Sequence, residues 1–191
     1  DFFEKKFSFF SKNIKFDKLV AIKIGEKTRQ GSVMSGLKLL EDCSNSDDWI
    51  FVHDAARPNL LPKSLKRLWD EGSKSKVGAI LATQVSETLK KQVPDENVKN
   101  NPILIKETIS RNNCWLAQTP QMFKYSMLKS AINSCDNATD ESSAIESHGF
   151  QPMIVCGDIR NIKITTKNDY NTLKSLIMES KSKNSEVLRI G

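Results

Sequence analysis

The sequence predicts an α/β fold, a mostly parallel sheet covered by helices, on three observations. Short apolar runs recur at KLVAIKIG (Lys18 to Gly25), WIFV (Trp49 to Val52) and VGAILATQV (Val77 to Val85). Between them lie stretches with helical spacing, so strand and helix alternate, and right-handed crossovers would follow. The residues just after the middle run, His53, Asp54 and Arg57, are polar, and open sheets of this kind bind ligands beyond the carboxyl ends of their strands.

Each element has its own signal. KLVAIKIG is a short apolar run ending in glycine, a buried strand. SVMSGLKLL places Val33, Leu37 and Leu40 at helical spacing. WIFV is nearly continuous and reads as a strand buried on both faces, its polar groups gathered at the carboxyl end. Pro62 suits a first helical turn, and Leu65, Leu68 and Trp69 share one face of the helix it opens. VGAILATQV is another buried strand. ETLKKQV and ILIKETIS, joined by the turn-rich PDENVKNNP, read as an antiparallel arm over residues 87–113. Such an arm has too little core to stand alone and should be covered by a partner subunit or a ligand. WLAQTPQMF resumes the sheet with a strand ending at Gln118 and Thr119, and YSMLKSAINSC supplies a helix. TDESSAIESHG is a short helix starting near Thr139 and stopping at Gly149. PMIVCG and NIKITT are two further strands. A last helix begins at Asn168 and dissolves into KSKNSE, a linker. Residues 1–180 are thus expected to form one domain, with 181–191 a linker or the start of a second.

Composition narrows the class. With 38% hydrophobic and 27% charged residues, the chain has the profile of a globular protein, and no apolar run approaches the roughly 20 residues of a membrane span. The aromatic opening DFFEKKFSFF is interrupted by lysines and lacks a cleavage site, so it is not read as a signal peptide. The four cysteines are scattered without C-x-x-C spacing, which suggests neither zinc nor a disulfide framework and points to a reducing cytoplasm. A net charge of +6 suits a phosphate-rich ligand, although lysines on solvated helix faces produce the same balance. No dense basic stripe with interleaved aromatics argues for nucleic acid. The chain starts at Asp1 and stops just as LRIG begins what reads as a strand, so both ends are expected to be cut.

Candidate chemistry gathers at strand ends. Asp54 can hold Mg²⁺ or a ligand hydroxyl and Arg57 can pair with phosphate, or the two can form an internal ion pair that orders their loop. His53 alternates away from Asp54 and reads as a hydrogen-bonded core histidine, and His148 beside Gly149 as a partner for a helix C-terminus. Lys163, between Ile162 and Ile164, marks either a half-exposed strand or an ammonium aimed into an anionic pocket. Thr88, Thr119, Thr139, Thr165 and Thr166 stand near element ends, where hydroxyls bind phosphate or polyol groups or simply cap the backbone.

The strings TRQGSV and SGL, VHDAARP, ETLK, SRNNCW, QTPQMF, TDESSAIE and NIKITTKNDY occur in an order and at spacings that closely resemble the 2-C-methyl-D-erythritol 4-phosphate cytidylyltransferase family, from about Lys18 to about Ile177. The resemblance implies a Rossmann-like, three-layer nucleotidyltransferase fold with a protruding β-arm. It implies transfer of CMP from CTP to 2-C-methyl-D-erythritol 4-phosphate, with release of pyrophosphate, in the non-mevalonate route to isoprenoid precursors. It further implies Mg²⁺ as cofactor, and a cytoplasmic homodimer formed through the arm.

By the same resemblance, Ser32 and Ala55 contact CTP, Asp54 and Lys163 are catalytic, and Asp54 is nearest the metal. Arg57, Thr88, Arg111 and Thr139 bind the substrate phosphates, with Arg111 reaching into the neighbouring subunit, and Thr119 and Thr165 are secondary substrate contacts. The chain departs from the family at its start: nothing in the first 17 residues resembles the glycine-rich loop, bearing an arginine and a lysine, that wraps the triphosphate. The chain by itself is therefore expected to be close to inactive. VLRIG at the other end resembles the first strand of 2-C-methyl-D-erythritol 2,4-cyclodiphosphate synthase, to which some family members are fused, although an ordinary frayed tail is the favoured reading. The rival readings are a cytidylyltransferase for another polyol phosphate, such as ribitol 5-phosphate, and a non-catalytic nucleotide-binding remnant.

Overall fold

A computed structural model describes residues 25–94, 102–135 and 137–187. KLVAIKIG, apart from Gly25, lies outside the described residues, as does all of VLRIG after Val187. The chain divides into two compact units, Asp1–Cys43 and Ser44–Gly191. In the first, helix α1 (Arg29–Leu39) is capped by Thr28, whose Oγ1 accepts from the Gly31 N–H at 3.0 Å.

The second unit is built on strands β1 (Trp49–Val52), β2 (Gly78–Gln84), β5 (Trp115–Lys124) and β6 (Met153–Cys156), in the order β1-β5-β2-β6. Helix α2 (Pro62–Gly72) follows β1, and α3 (Tyr125–Asn133) and α4 (Glu141–Ser147) follow β5. β2 and β6 pair in parallel, and β1 runs in the same direction, but β5 lies antiparallel between β1 and β2. The sheet is therefore mixed: three strands share a direction, and the fourth is inverted. Apolar patterning reports which faces are buried and is blind to strand direction, which is why the sequence missed the inversion.

Alternation along the strands sorts the layers. Leu68 of α2 is fully buried against Ala79, Leu81, Met122 and Val155, with Phe51 and Trp49 packed beside them. Leu65 and Trp69, expected on the same buried face, stay partly exposed, and Trp69 lies across the Phe51 ring at 6.2 Å. Ile80 and Ile154 point to the opposite face, where they line a pocket with Glu146 and Gly149 at the end of α4. Helix, sheet and helices thus make three layers. β2 is buried through its first five residues, as expected. β1 is only half-buried, because among the described residues it has a sheet partner on one side alone.

Two glycines are set by close approach. Gly157 follows β6, and a Cβ there would fall 2.4 Å from the Gln118 side-chain oxygen. Gly78 opens β2 at φ +129°, and a Cβ there would fall 2.3 Å from the Met122 carbonyl oxygen across the ladder. Gly78→Ala combines backbone strain with overpacking and is expected to cost about 3 kcal/mol of stability, read as a lower denaturant midpoint at unchanged m. An unchanged midpoint would show that β2 can begin elsewhere.

The arm forms as expected: β3 (Leu89–Gln92) and β4 (Ile105–Ile109) make a separate antiparallel pair with Leu89 opposite Ile109. Two expectations near the end of the chain change. Among the described residues NIKITT joins no ladder but runs as an extended strap, because Ile164 spends its N–H on the Ala56 carbonyl, at 2.8 Å, instead of on a strand. The final helix α5 (Lys167–Val187) starts from a Thr166–Asp169 capping box rather than from Asn168: Thr166 N–H donates to Asp169 Oδ2 at 2.7 Å, and Asp169 N–H returns to Thr166 Oγ1 at 3.2 Å. It also continues through KSKNSE, where no glycine or proline stops it.

Candidate active site

The candidate site lies where β1, β2 and β6 end together. After Val52 the chain makes a tight turn, Arg57 N–H donating to the Asp54 carbonyl at 2.9 Å, which gathers Asp54, Ala55 and Arg57 at the strand mouth. β5 bulges beside it: Ile80 pairs with Gln121 but Ala82 with Ala117, so extra β5 residues are thrown out around Thr119. Thr119 is only 4% exposed and turns its hydroxyl to the loop, accepting from the Asp54 N–H at 3.0 Å and meeting His53 Nδ1 at 3.0 Å. His53 Nε2 donates to the Arg57 carbonyl at 2.9 Å. His53 is hydrogen-bonded as expected, but it is exposed at the loop surface and does not sit in a core.

One carboxylate is shared by two cations. Asp54 Oδ2 lies 3.0 Å from Lys163 Nζ and 3.8 Å from Arg57 Nε, with the Asp54 side chain 12% exposed and that of Lys163 43%. The segment carrying Lys163 is partly exposed, and its ammonium pairs with the single carboxylate of Asp54. For Arg57 the loop-ordering role is the visible one: Nη1 donates to the Asn161 carbonyl at 2.7 Å and Nη2 to that of Ala117 at 3.3 Å, which occupies the fork expected for phosphate. Burial draws the guanidinium below its ordinary value and the Asp54 carboxylate pulls it back up; it stays charged at neutral pH.

The strap that delivers Lys163 is itself anchored. Arg160 binds Asp158 through Nε and Nη2 at 2.9 and 2.8 Å, and Lys63 lies 3.3 Å from the same carboxylate. These contacts, the Arg160 hydrogen bonds foremost, hold the Asp158 carboxyl far below the usual carboxylate range against the opposing effect of its burial.

The other expected residues separate into three groups. Thr139 is exposed at the start of α4, where its N–H and hydroxyl meet Ser143 Oγ at 3.0 and 3.3 Å. The cap of that helix is Asp140, not Thr139, and it is tied to the sheet by Gln121, which donates to Asp140 Oδ2 at 2.8 Å. Burial pushes the Asp140 carboxyl up, but the bonds from Gln121, Ser143 and Ser142 outweigh it and leave the group below its ordinary value.

Thr165 donates to Asp169 Oδ2 at 2.8 Å, so in this structure its hydroxyl serves the helix start. Thr119 likewise spends its hydroxyl inside the loop. Thr88 and Arg111 are exposed at the base of the arm, and among the described residues neither bonds to the Asp54 cluster. Ser32 belongs to the first unit, where its Oγ donates to the Thr28 carbonyl at 3.0 Å. His148 meets the Ala144 carbonyl through Nδ1 at 3.0 Å, the helix-end role expected.

Sequence reasoning missed Asn161, Gln118, Gln121 and Asp140. Asn161 had a signal, since it lies two residues before Lys163 on the same side of an extended segment.

A family model described as 2-C-methyl-D-erythritol 4-phosphate cytidylyltransferase matches residues 4–180. The chain belongs to this family. A relative of that name from Aromatoleum aromaticum is 43% identical over 148 residues, 78% of this chain and 60% of the relative. A crystal structure of 4-diphosphocytidyl-2C-methyl-D-erythritol synthase superposes at a TM-score of 0.78 with 33% identity, covering 93% of this chain and 76% of the other. The 2-C-methyl-D-erythritol 4-phosphate cytidylyltransferase of Francisella tularensis does so at 0.72 with 36% identity, over 84% and 73%. The chain spans about 60% of the length of the curated cytidylyltransferases it matches first.

Cytidylyltransferases of this family generally use a divalent cation. Among the described residues no three His, Cys, Asp or Glu side chains stand together as a self-sufficient metal cage. Asp54 nevertheless fits a site of the kind in which one carboxylate shares the ion with substrate phosphates and water. No described helix is long and apolar enough to cross a membrane.

Proposed function

We propose that the protein of which this chain forms part transfers CMP from CTP to 2-C-methyl-D-erythritol 4-phosphate and releases pyrophosphate. The observation that carries this reading is Asp54 Oδ2 held between Lys163 and Arg57 at the shared end of three strands, in a chain of this family. A phosphate monoester oxygen attacks the α-phosphorus of CTP in line, and the pyrophosphate oxygen leaves. The attacking oxygen is already largely unprotonated at neutral pH, so no base is needed; the task is to bring two polyanions together and to neutralise charge. Lys163, 43% exposed beside Asp54, is the cation proposed to meet that charge. Arg57 orders the loop and places a positive charge beside the Asp54 carboxylate. Mg²⁺, held by Asp54 and the phosphates, would neutralise charge on the triphosphate when bound. Ser32 and Ala55 are proposed on the CTP side, and Thr88, Arg111 and Thr139 on the polyol phosphate side.

We also propose a cytoplasmic homodimer joined through the arm. β4 is exposed throughout, and Ile103, Leu104, Ile105 and Ile109 present apolar surface that a partner would cover. All four cysteines are free, which suits a reducing compartment.

The test is direct: the full-length protein is supplied with CTP, Mg²⁺ and either 2-C-methyl-D-erythritol 4-phosphate or ribitol 5-phosphate, and pyrophosphate release is followed. Turnover with the methylerythritol phosphate is expected, and preference for ribitol 5-phosphate would overturn the substrate assignment. Arg111→Ala should raise KM for the methylerythritol phosphate by about tenfold or more, as loss of a charge-assisted bond does, and barely move KM for CTP. Equal losses for both would remove the arm from substrate binding.

A further inference from the structure

Asn161 is 1% exposed and sits where three segments of the site meet. Its Nδ2 donates to the Thr119 carbonyl at 2.8 Å and reaches Gln118 Oε1 at 3.4 Å, which ties the strap to the bulge of β5. Its own carbonyl accepts from Arg57 Nη1 at 2.7 Å, and its N–H donates to the Asp158 carbonyl at 2.9 Å. Thr119 in turn holds the Asp54 N–H, and Ile164 of the strap holds the Ala56 carbonyl. The contacts close a ring around the carboxylate and both cations.

Its other amide atom points to what the position requires. Among the described residues buried Asn161 Oδ1 finds no hydrogen-bond partner, a cost that an apolar side chain of similar size would avoid. A core that needed only packing would be better served by leucine. What the position demands is the Nδ2 donor.

We propose that Asn161 is a positioning residue for phosphoryl chemistry at this site: its buried amide clamps the strap to the β5 bulge and so sets where Lys163 and Arg57 stand relative to Asp54. It touches neither substrate nor metal and acts through those three side chains. The inference rests on the cytidylyl-transfer reading above.

Asn161→Asp supplies the test, because it keeps the shape and replaces the donor with an oxygen facing two acceptors. Burial and the lone pairs of Thr119 and Gln118 raise the pKa of the introduced carboxyl. Arg57, bonded to the same residue's carbonyl, opposes this in part, and Asp158 reinforces it. On acidification the carboxyl therefore gains a proton and can donate to the Thr119 carbonyl as the amide did.

In the full-length protein, kcat of Asn161→Asp is expected to fall about 30-fold or more below wild type at the alkaline end, with KM little changed, since displacements near 1 Å can cost about a hundredfold. The ratio to wild type should recover about tenfold on acidification, while Asn161→Ala stays low throughout. Arg57 and Lys163 side-chain NMR signals should shift in Asn161→Asp at alkaline pH and return toward their wild-type positions in acid. A ratio that is flat with pH, or an Asn161→Ala protein of full activity, overturns the inference. Should Asn161→Ala fail to fold, the pH dependence of Asn161→Asp decides. Wild-type protein that transfers no cytidylyl group overturns the activity instead, and the Arg57 and Lys163 signals then judge the clamp on their own.

Discussion

Lys163→Ala is expected to lower kcat for cytidylyl transfer by about 100- to 1,000-fold, the loss typical when one preorganised charge-stabilising group is removed from an active site. The reason is geometric. Arg57 has turned its Nη donors to the carbonyls of Asn161 and Ala117, so of the two cations beside Asp54 it is Lys163, 43% exposed, that can turn toward an incoming phosphate. The fold should survive, because the Lys163 end of the pair is 43% exposed and Arg57 still stands beside Asp54. A stopped assay of CMP transfer beside a thermal melt checks both statements. Near-normal turnover with an unchanged melt would remove Lys163 from the chemistry. A collapsed melt would show that the ammonium is structural.

Asp54→Asn is expected to be as damaging, by about 1,000-fold, for a different reason. The substitution keeps the size of the side chain and the Asp54 N–H bond to Thr119, but removes the negative charge that Lys163 and Arg57 share. On the proposed reading the divalent ion then loses the carboxylate assigned to it, and Lys163 and Arg57 lose the negative charge between them. The signature should therefore include a raised metal requirement: at saturating CTP, the Mg²⁺ concentration giving half-maximal turnover should rise sharply. A drop in kcat with an unchanged metal profile would confine Asp54 to ordering its loop, and wild-type rates would exclude it altogether.

These two residues were legible in the sequence because each breaks a local pattern. Asp54 is the first carboxylate after an apolar strand, and Lys163 interrupts a pair of isoleucines, so both stand out within a few residues of context. The helix starting at Pro62, the buried β2 run and the antiparallel arm were legible for the same reason, since turn residues and periodicity are short-range signals. The distant partners of Asn161 and Thr119 were not. Arg57 bonds Asn161 across 104 positions of chain and Asp54 bonds Thr119 across 65, and nothing local to an asparagine or a threonine announces a partner at that distance. Nor does the neighbourhood of Thr165 announce that Asp169, four residues on, accepts its hydroxyl at the start of α5.

The sequence by itself determined the three-layer α/β class, the arm, the family and the residue types at the strand mouth, because apolar periodicity, turn chemistry and contiguous motifs are written within short stretches of chain. Only the tertiary structure decided that β5 runs against its neighbours, that its bulge brings Thr119 to Asp54, and that Arg57 braces the loop while the partly exposed Lys163 pairs with Asp54. Those outcomes depend on which backbone carbonyls and donors are left unpaired once the sheet has formed, and a buried polar group must find its partner wherever the fold has placed one.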